Sequence, residues 1–430
     1  MERSFSHANA DYPGASHCAP RVSIPLLVPA WVGVSEHSPE RHEDPSRDET
    51  PPFPAFLRYF LGLGTWGFGG PIATVGYMQR DLVERRKWLS QSDFLNGVAL
   101  GQAMPGPLAA QVVMWVGFLQ GGSLGALTTA ALFVLPSLVL VLAVAAIYVP
   151  NQGLPVVQSL FYGIAPAVMA VIAVAAVKLA RLTDKRDPKL WAISVIIGVV
   201  TAVTGAEVAV LFIAAGMTMI LLEAPPKFRR RPGPSGPSGG VFLAAPGFKV
   251  LTGTAVSGTI FALGLFFLKA GAFIFGSGLA IVPFLREGVV NQHHWLTQRQ
   301  FLDAVAIGLI TPGPVVITAA FIGYLVGGLL GALVATLAIF TPIYLGVIVP
   351  GPWFVRHQDN PQVKAFVRGA TAAAAGAIAG ATVVLSRGAI LDWKTAIIAV
   401  AALGFVLRFK NREPVLVLAA AVFGLLLHRV

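Results

Sequence analysis

The strongest constraint on the fold of this chain is the recurrence of long apolar runs. They lie near residues 55–78, 122–149, 156–177, 326–349, 367–386 and 389–407. A helix needs about 20 residues to cross the ~30 Å hydrocarbon core of a bilayer, and each run has about that length. Hydrophobic residues make up 55% of the chain and charged residues 12%, which is more apolar than a soluble core requires. The sequence therefore predicts an all-α polytopic membrane protein.

One more apolar run, 190–222, is interrupted by Gly205, Ala206 and Glu207, which predicts a tight helical hairpin with Glu207 at its tip.

Composition divides the chain into four parts. We predict a polar, disordered tail, a first membrane repeat, a basic linker rich in Pro, Gly and Ser, and a second membrane repeat. These parts cover residues 1–52, 53–223, 224–249 and 250–430, in that order.

The two membrane repeats are duplicates of each other. When residues 68–107 are shifted by 207 positions without gaps, sixteen of the forty aligned pairs are identical. The identities include Trp88 with Trp295 and the whole triplet Pro105-Gly106-Pro107 with Pro312-Gly313-Pro314. So many identities in one ungapped alignment are not expected by chance, so the sequence indicates a duplicated fold.

Basic loops predict how each repeat sits in the membrane. The net charge of +11 is concentrated in short loops between apolar runs, which is a topology signal and does not indicate a nucleic-acid partner. The loops after 55–78 and after 156–177 and the linker are all basic, so all three are expected in the cytoplasm. We predict about five crossings in each repeat and about ten in total. An odd number in each half makes the second repeat inverted relative to the first.

The Pro-Gly-Pro triplets predict two broken helices inside the membrane. Proline removes a backbone donor and clashes with the preceding turn, and the residue before it avoids helical dihedrals. In lipid, such a break persists only where protein or a watery cavity receives the freed backbone groups. Half-helices that meet at mid-membrane form the substrate sites of inverted-repeat transporters, with helix N-termini directed at anions. The alternative is a kinked, tightly packed helix pair without a ligand.

Glycine-rich stretches and polar neighbours extend this candidate anion site. The stretches "WGFGGPIA" and "FIFGSGLAIVP" could expose amide donors to an oxyanion or serve only close helix packing. The polar residues beside the triplets could donate to an anion or join helices. The predicted substrate-binding residues are Gly69, Gly70, Gln102, Pro105, Gly106, Pro107, Gln111, Lys269, Gly276, Ser277, Gly278, Thr311, Pro312, Gly313, Pro314 and Thr318.

Ionisable residues within apolar runs are functional candidates, because burying a charge in a membrane is costly. Lys269 either holds part of the substrate charge or extends to the membrane interface. Asp303 and Arg58 are expected nearer to helix ends, facing head groups. Gly62, Gly64 and Gly67 match a dinucleotide-binding pattern, but no strand precedes them, so this reading is rejected.

The sequence offers nothing for catalysis. It contains no HExxH motif, no CxxC pair, no histidine cluster and no acid pair, and its single cysteine, Cys18, lies in the polar tail. We therefore predict a protein that is not an enzyme and that has no cofactor and no metal site.

Several motifs resemble those of the chromate ion transporter family, in particular its long, two-domain bacterial members. They are "FGGPIATVGYMQRDLVERRKWL", "ALGQAMPGPLAAQ", "FGSGLAIVPFLREGVV" and "WLTQRQFLDAVAIGLITPGPVVITAAFIGYLV". The resemblance covers nearly all of residues 55–430. It implies efflux of chromate across the bacterial plasma membrane and resistance to chromate, with sulfate as the chemically similar ion. Many relatives have a histidine where this chain has Thr74, so a role for that histidine is not carried over.

The leading hypothesis is a secondary active chromate exporter whose expected partners are chromate, sulfate as a similar ion, and membrane lipid, but not nucleic acid. A carrier for sulfate or another oxyanion, a passive anion channel and a membrane-bound chromate reductase are the alternatives. The lack of cysteine, haem-ligand and flavin motifs disfavours the reductase. The sequence leaves open whether the protein is a monomer or a homo-oligomer.

Overall fold

The fold is helical in every part that a computed structural model of the chain describes. The described residues are 52–67, 70–184, 187–204, 209–225, 255–274, 278, 281–357, 359–409 and 413–427. The helices are α1 Phe53–Trp66, α2 Gly70–Met78, α3 Gln91–Ala103, α4 Leu108–Asn151, α5 Pro155–Asp184, α6 Pro188–Thr204, α7 Ala209–Glu223, α8 Ala255–Ala272, α9 Ile281–Arg286, α10 Gln298–Ile310, α11 Thr318–Ile348, α12 Pro350–His357, α13 Pro361–Ala389, α14 Trp393–Arg408 and α15 Glu413–Leu427. The elements of the two repeats follow the same order, except that α12 has no separate counterpart in the first repeat.

Aligned residues cap corresponding helices in the two repeats. Ser90 caps α3 by accepting a hydrogen bond from the Asp93 amide, and Thr297, its counterpart, caps α10 in a capping box with Gln300. Both caps use a side-chain oxygen to satisfy an amide that the first helical turn leaves unpaired. Residues that the shift of 207 positions aligns therefore also have the same local structure.

The apolar run 55–78 was expected to cross the membrane as one helix, and the structure corrects this expectation. The run breaks after Trp66, and α2 returns beside α1, continued by a π-helical segment, Gln79–Arg85. The return is evident from the ring contacts, because the centroids of Phe56 and Trp88 are 6.3 Å apart although 32 positions separate them. In the second repeat, α8 and α9 fold back in the same way, with Phe266 and Phe284 stacked at 5.4 Å.

A pair of glycines reverses the chain within α4. Gly121 and Gly122 have non-helical dihedrals, and the φ of Gly122 is +60°, which favours glycine. The arms on either side are antiparallel neighbours, since Thr129 donates to the carbonyl of Val113, sixteen residues earlier. Gly327 and Gly328 make the same turn in α11. The predicted membrane helices 122–149 and 326–349 therefore begin at these turns.

The helix bundle has two ends, which cross-repeat contacts define. The first end holds the loop 86–90 and the turn at Gly121–Gly122, and the second end holds the loop 293–297 and the turn at Gly327–Gly328. The long second arm of α4 reaches the second end, where Gln152 accepts from Gln300 at 2.9 Å. The second arm of α11 reaches the first end, where Tyr344 donates to the Ser123 carbonyl at 3.0 Å.

Helices α6 and α13 come from different repeats and run in the same direction. Ser194 donates to the Ala372 carbonyl at 2.8 Å, and further along, a methyl group on Gly380 would lie 2.8 Å from Cβ of Thr201. Helix α5 runs opposite to α6, because Ser194 also reaches back to Asp184 at 2.7 Å. Helix α5 and its counterpart α13 therefore have opposite directions.

An ion-pair network joins the repeats at the first end. Arg368, on α13, contacts both Asp187 and Glu223 at 2.6 Å. Partial burial raises the pKa of Asp187, but hydrogen bonds from the Lys189 amide and from Arg368 outweigh this, and the pKa lies below its ordinary value. The network fixes the ends of α6 and α7 against the second repeat.

Four helices in the described ranges have the length and apolar composition to cross a bilayer. They are Leu108–Asn151, Pro155–Arg181, Val315–Ile348 and Pro361–Ala389. The predicted hairpin at 190–222 appears as the separate helices α6 and α7, and its expected tip, including Glu207, lies outside the described residues. Large apolar side chains such as Ile397, Val400 and Leu407 remain exposed, as expected of a surface that faces lipid.

Candidate functional site

Each Pro-Gly-Pro triplet forms the tip of a helical hairpin. Helix α3 ends at Ala103, and α4 begins at Leu108, directly after the first triplet. The two arms lie side by side, because Trp115 donates to the Asp93 carbonyl at 3.1 Å across 22 positions. Helix α3 has 13 residues and is therefore about 20 Å long. That length does not cross a ~30 Å core, so the structure confirms that the helices are broken here.

Backbone geometry explains why glycine occupies the centre of each triplet. The φ angle of Gly106 is +142° and that of Gly313 is +96°. Both values lie in a region that side chains with a Cβ rarely adopt. Prolines on either side prevent the helix from continuing. Each triplet therefore fixes a sharp reversal that alanine would not reproduce.

The carbonyl groups freed at the breaks are satisfied by buried side chains. Nε2 of Gln111 donates to the Pro105 carbonyl at 2.8 Å. Ser137, which is fully buried on α4, donates to the Pro312 carbonyl. The second of these bonds joins the tip of one repeat to a long helix of the other. Buried backbone groups without such partners would cost several kcal/mol each in a membrane.

The hairpin tips of both repeats meet in the middle of the bundle. The Gly106 amide donates to the Ile274 carbonyl, at the tip between α8 and α9. A methyl group on Gly278 would lie 3.6 Å from Cβ of Pro107 and 3.7 Å from Cβ of Val315. The structure thus brings Gly106, Pro107, Gly278 and the start of α11 together. The helices that leave these tips, α4 and the short 3₁₀ turn before α11, begin without a side-chain cap.

The polar residues predicted beside the triplets have different positions. Gln111 is fully buried, and its Oε1 has no hydrogen-bond partner among the described residues. Gln102 is exposed on α3. Thr311 donates to the Ile307 carbonyl at 2.6 Å, and Thr318 donates to the Val315 carbonyl at 2.8 Å. Both threonine hydroxyl protons are therefore used within their own helices.

The glycine stretches are described only in part. Gly69, Gly276 and Ser277 lie outside the described residues, and Gly70 begins α2. Gly278 is buried and is the member of this set that contacts the Pro-Gly-Pro tips.

Lys269 lies one turn before the tip that joins α8 to α9. Its side chain is exposed, and Nζ is 6.0 Å from the ring centroid of Phe284 on α9. Within the described residues, no hydrogen bond or ion pair joins Lys269 to either triplet, so both readings of this lysine remain predictions.

Asp303 was expected near a head group, and the structure shows that this expectation is wrong. The residue is 3% exposed, on α10. Its Oδ2 accepts a hydrogen bond from the Tyr148 hydroxyl at 2.6 Å, and Tyr148 belongs to the other repeat. Nothing in the sequence pointed to this pair, since the aligned position in the first repeat is Asn96. A buried carboxylate of this kind is stable only with such a partner.

Breaking this pair from one side should destabilise the protein more than removing it completely. We expect Tyr148→Phe to lower the free energy of unfolding by about 1–3 kcal/mol, because it leaves a buried acceptor unsatisfied. The double variant Tyr148→Phe with Asp303→Leu should recover most of that loss. Thermal unfolding of the purified variants in one detergent measures both. Equal losses in the single and double variants would contradict a direct coupling between these residues.

Comparison with known proteins identifies the family. The family model described as chromate transporter matches residues 55–221 and again 261–425. The chain belongs to the chromate transporter family. The two matched segments are the two membrane repeats, and each contains one Pro-Gly-Pro hairpin.

Curated members of the chromate transporter family are similar over most of their length. A chromate transport protein of Cupriavidus metallidurans is 47% identical over 373 residues, which are 86% of this chain and 92% of that protein. A probable chromate transport protein of Synechococcus elongatus is 45% identical over 376 residues, 86% of this chain and 94% of that protein. A chromate transport protein of Pseudomonas aeruginosa is 29% identical over 363 residues, 82% of this chain and 86% of that protein. No solved structure matches the chain.

Proposed function

We propose that this protein is a secondary carrier that exports chromate from the cytoplasm and thereby confers resistance to chromate. The observation that carries the proposal is the meeting of hairpin tips from both repeats in a member of the chromate transporter family. Helix N-termini attract anions through their unpaired amides and the helix dipole. Broken helices at mid-membrane are a common way to build such a site in transporters. Names of the similar proteins support chromate as the substrate.

Energetics favour export over uptake. Moving one charge through the membrane potential is worth roughly 2.3 kcal/mol per 100 mV. A dianion that leaves an inside-negative cell gains about twice this amount, so export needs no ATP-driven machinery. Uptake of the same dianion would require cations to move with it. The sequence has no P-loop motif, which fits this expectation.

The tips are in contact in this structure, so transport requires them to separate. In the contacts described above, Pro107 of one tip lies against Gly278 of another. We propose that the hairpins part alternately toward the two ends of the bundle, which exposes the amides at the starts of α4 and α11 to the anion. The Oε1 atom of Gln111 would then accept a hydrogen bond from a water or from a protonated oxyanion.

We also propose that the repeats are inverted and that each repeat contributes four helices that cross the plasma membrane. The expected ten crossings lose two, because the run 55–78 and its counterpart fold back. Opposite directions of α5 and α13 support the inversion. Glu223 lies at the first end through Arg368, whereas Ile260 contacts Gly327 at the second end. The first repeat therefore ends, and the second begins, at opposite ends of the bundle.

Basic residues support a cytoplasmic location for the first end. Those in the loops and helix termini there include Arg80, Arg85, Arg86, Lys87, Lys189, Arg356, Lys364, Arg368 and Arg408. The second end has far fewer, among them Arg299 and Lys394. Loops rich in Lys and Arg remain in the cytoplasm.

Accessibility labelling tests the inversion. In a Cys18→Ser background, we expect single cysteines at Lys87 in the loop 86–90 and at Arg299 at the start of α10, both exposed, to react from opposite sides of the membrane. An impermeant maleimide applied to intact cells should label only Arg299→Cys. Labelling of both positions from one side would refute the inverted arrangement.

Lys269 is proposed to hold part of the substrate charge as the anion passes the α8 tip. Lys269→Ala should then lose most chromate export while the protein still inserts and folds, because a positive charge beside the path would be gone. Export per folded molecule in Lys269→Ala and Lys269→Gln is the measurement. Near-normal export in both would assign Lys269 to the membrane interface.

Chromate uptake into everted vesicles, with and without excess sulfate, tests the proposed function. An exporter should take up chromate with saturation, driven by an inside-positive potential. Influx of labelled sulfate into cells that express the protein would favour a sulfate carrier. Single-channel currents without saturation would favour a passive channel, and a visible chromophore in the purified protein would favour a reductase.

A further inference from the structure

An open groove lies between α1 and the returning segment of α2 at the first end of the bundle. Its volume is about 600 Å³, and its walls come from both arms of the hairpin. Residues that line it include Arg58, Tyr59, Tyr77, Arg80, Asp81 and Arg86. Three guanidinium groups thus border one concave surface, with Asp81 as the acidic residue among its lining residues.

Aromatic rings position two of these arginines. The guanidinium of Arg86 lies 4.6 Å from the ring centroid of Trp88 and 5.6 Å from that of Tyr59, and Arg80 lies 5.6 Å from the ring of Tyr77. A guanidinium that stacks on a ring keeps its edge N–H groups free for an anion. The hydroxyl of Tyr59 is buried and has no hydrogen-bond partner among the described residues, so it is a further donor.

Asp81 neutralises only part of this charge. Its Oδ1 is 3.3 Å from Nε of Arg80 and 3.6 Å from Nη1 of Arg85. Within the described ranges, neither Arg58 nor Arg86 forms an ion pair. The groove therefore retains two arginines whose charge is not compensated.

In the described part of the second repeat, the aligned position is apolar and filled. The shift of 207 positions aligns Arg58, Arg80 and Arg86 with Leu265, Glu287 and His293. Phe266 and Phe284 replace the two tyrosines and stack at 5.4 Å, and a methyl group on Gly288 would strike Phe266. Apolar side chains thus fill the space that is open and basic in the first repeat. The groove breaks the symmetry of the duplication, and it does so at the basic end.

We propose that this groove is a separate binding site for a tetrahedral oxyanion, where the anion is collected before it reaches the hairpin tips. The collecting role of the groove rests on the proposed export function, whereas oxyanion binding to the groove does not. Arginine forks match the oxygens of a tetrahedral dianion. The same chemistry would suit a free oxyanion or the phosphate of an anionic lipid. Collection at one end of the bundle raises the local anion concentration there and lowers the half-saturating concentration for entry from that end.

Binding of labelled sulfate to the purified full-length protein tests the site. In phosphatidylcholine vesicles, Arg58→Gln and Arg86→Gln should each weaken sulfate binding at least tenfold. Arg85→Gln is the matched control, because Arg85 belongs to the same segment but does not line the groove and is 72% exposed. Equal binding by all three variants and the original protein would overturn the proposal.

Two further experiments distinguish a free oxyanion from lipid phosphate as the ligand and test the collecting role. Adding phosphatidylglycerol should leave sulfate binding unchanged, and loss of binding would show that lipid phosphate occupies the groove and would overturn the collecting role. In everted vesicles, Arg86→Gln should raise the half-saturating chromate concentration at least tenfold and leave the maximal rate within twofold. An unchanged half-saturating concentration would also overturn that role. The variant with Pro105-Gly106-Pro107 replaced by alanines should still bind sulfate, so failure of transport and failure of this site are distinguishable.

Discussion

Replacing either Pro-Gly-Pro triplet by three alanines should abolish chromate transport at an unchanged amount of folded protein. Alanine cannot hold the reversal, because Gly106 and Gly313 have φ angles of +142° and +96°, and each proline removed favours helix by about 3 kcal/mol. The amides at the starts of α4 and α11 would then be consumed by helical hydrogen bonds. Because both tips reach one centre, either replacement alone should suffice, with a loss of at least a hundredfold.

Chromate flux into everted vesicles, normalised to folded protein, is the measurement. Pro155→Ala is the matched control, since it changes an exposed proline at the start of α5, at the second end of the bundle. A role in packing alone predicts the opposite pattern, with less folded protein and normal flux per molecule. Near-normal flux in either triplet variant would contradict the proposal that both triplets form one anion site.

Gly163→Val should prevent stable assembly of the two repeats. Helices α5 and α15 approach so closely that a methyl group on Gly424 would lie 2.7 Å from the Gly163 nitrogen, and one on Gly163 would lie equally close to the Gly424 nitrogen. Small residues permit this approach in membrane helices. A larger side chain must push backbone against backbone, which costs about 1–3 kcal/mol or more.

The expected result is loss of the monodisperse peak in size-exclusion chromatography, or a melting temperature lower by at least 10 °C. Gly424→Val should have the same effect. Gly404→Val on α14 is the control, because no atom lies within 4 Å of a methyl group placed there, and it should melt normally. A normal melting temperature for Gly163→Val would show that this contact does not limit assembly.

Much of the candidate site could be predicted from the sequence, because the Pro-Gly-Pro triplet has a direct effect on backbone conformation and occurs in both repeats. Two prolines around a glycine break a helix wherever they occur, and the register of 207 positions showed that the break belongs to the fold. Two of the residues predicted for the site, Gln111 and Gly278, lie at the hairpin tips. What Gln111 does there was not legible, because its amide could serve either an anion or the Pro105 carbonyl.

Other features could not be predicted because local sequence leaves them undecided. The pairs Gly121-Gly122 and Gly327-Gly328 lie within long apolar runs, where glycine is common in membrane helices, so nothing local separates a reversal from a straight helix. The run 55–78 has the length of one crossing, and the contact between Phe56 and Trp88 shows that the chain folds back instead.

By itself, the sequence determined the membrane class, the duplication, the position of both helix breaks and the family, since each follows from composition, register or motif. Tertiary structure decided which residues meet. It buried Asp303 against Tyr148 of the other repeat, and it placed Arg58 and Arg86, 28 positions apart in the chain, on one groove. Such long-range contacts depend on how hairpins fold back and how two repeats pack, and no local pattern in a single chain encodes that geometry.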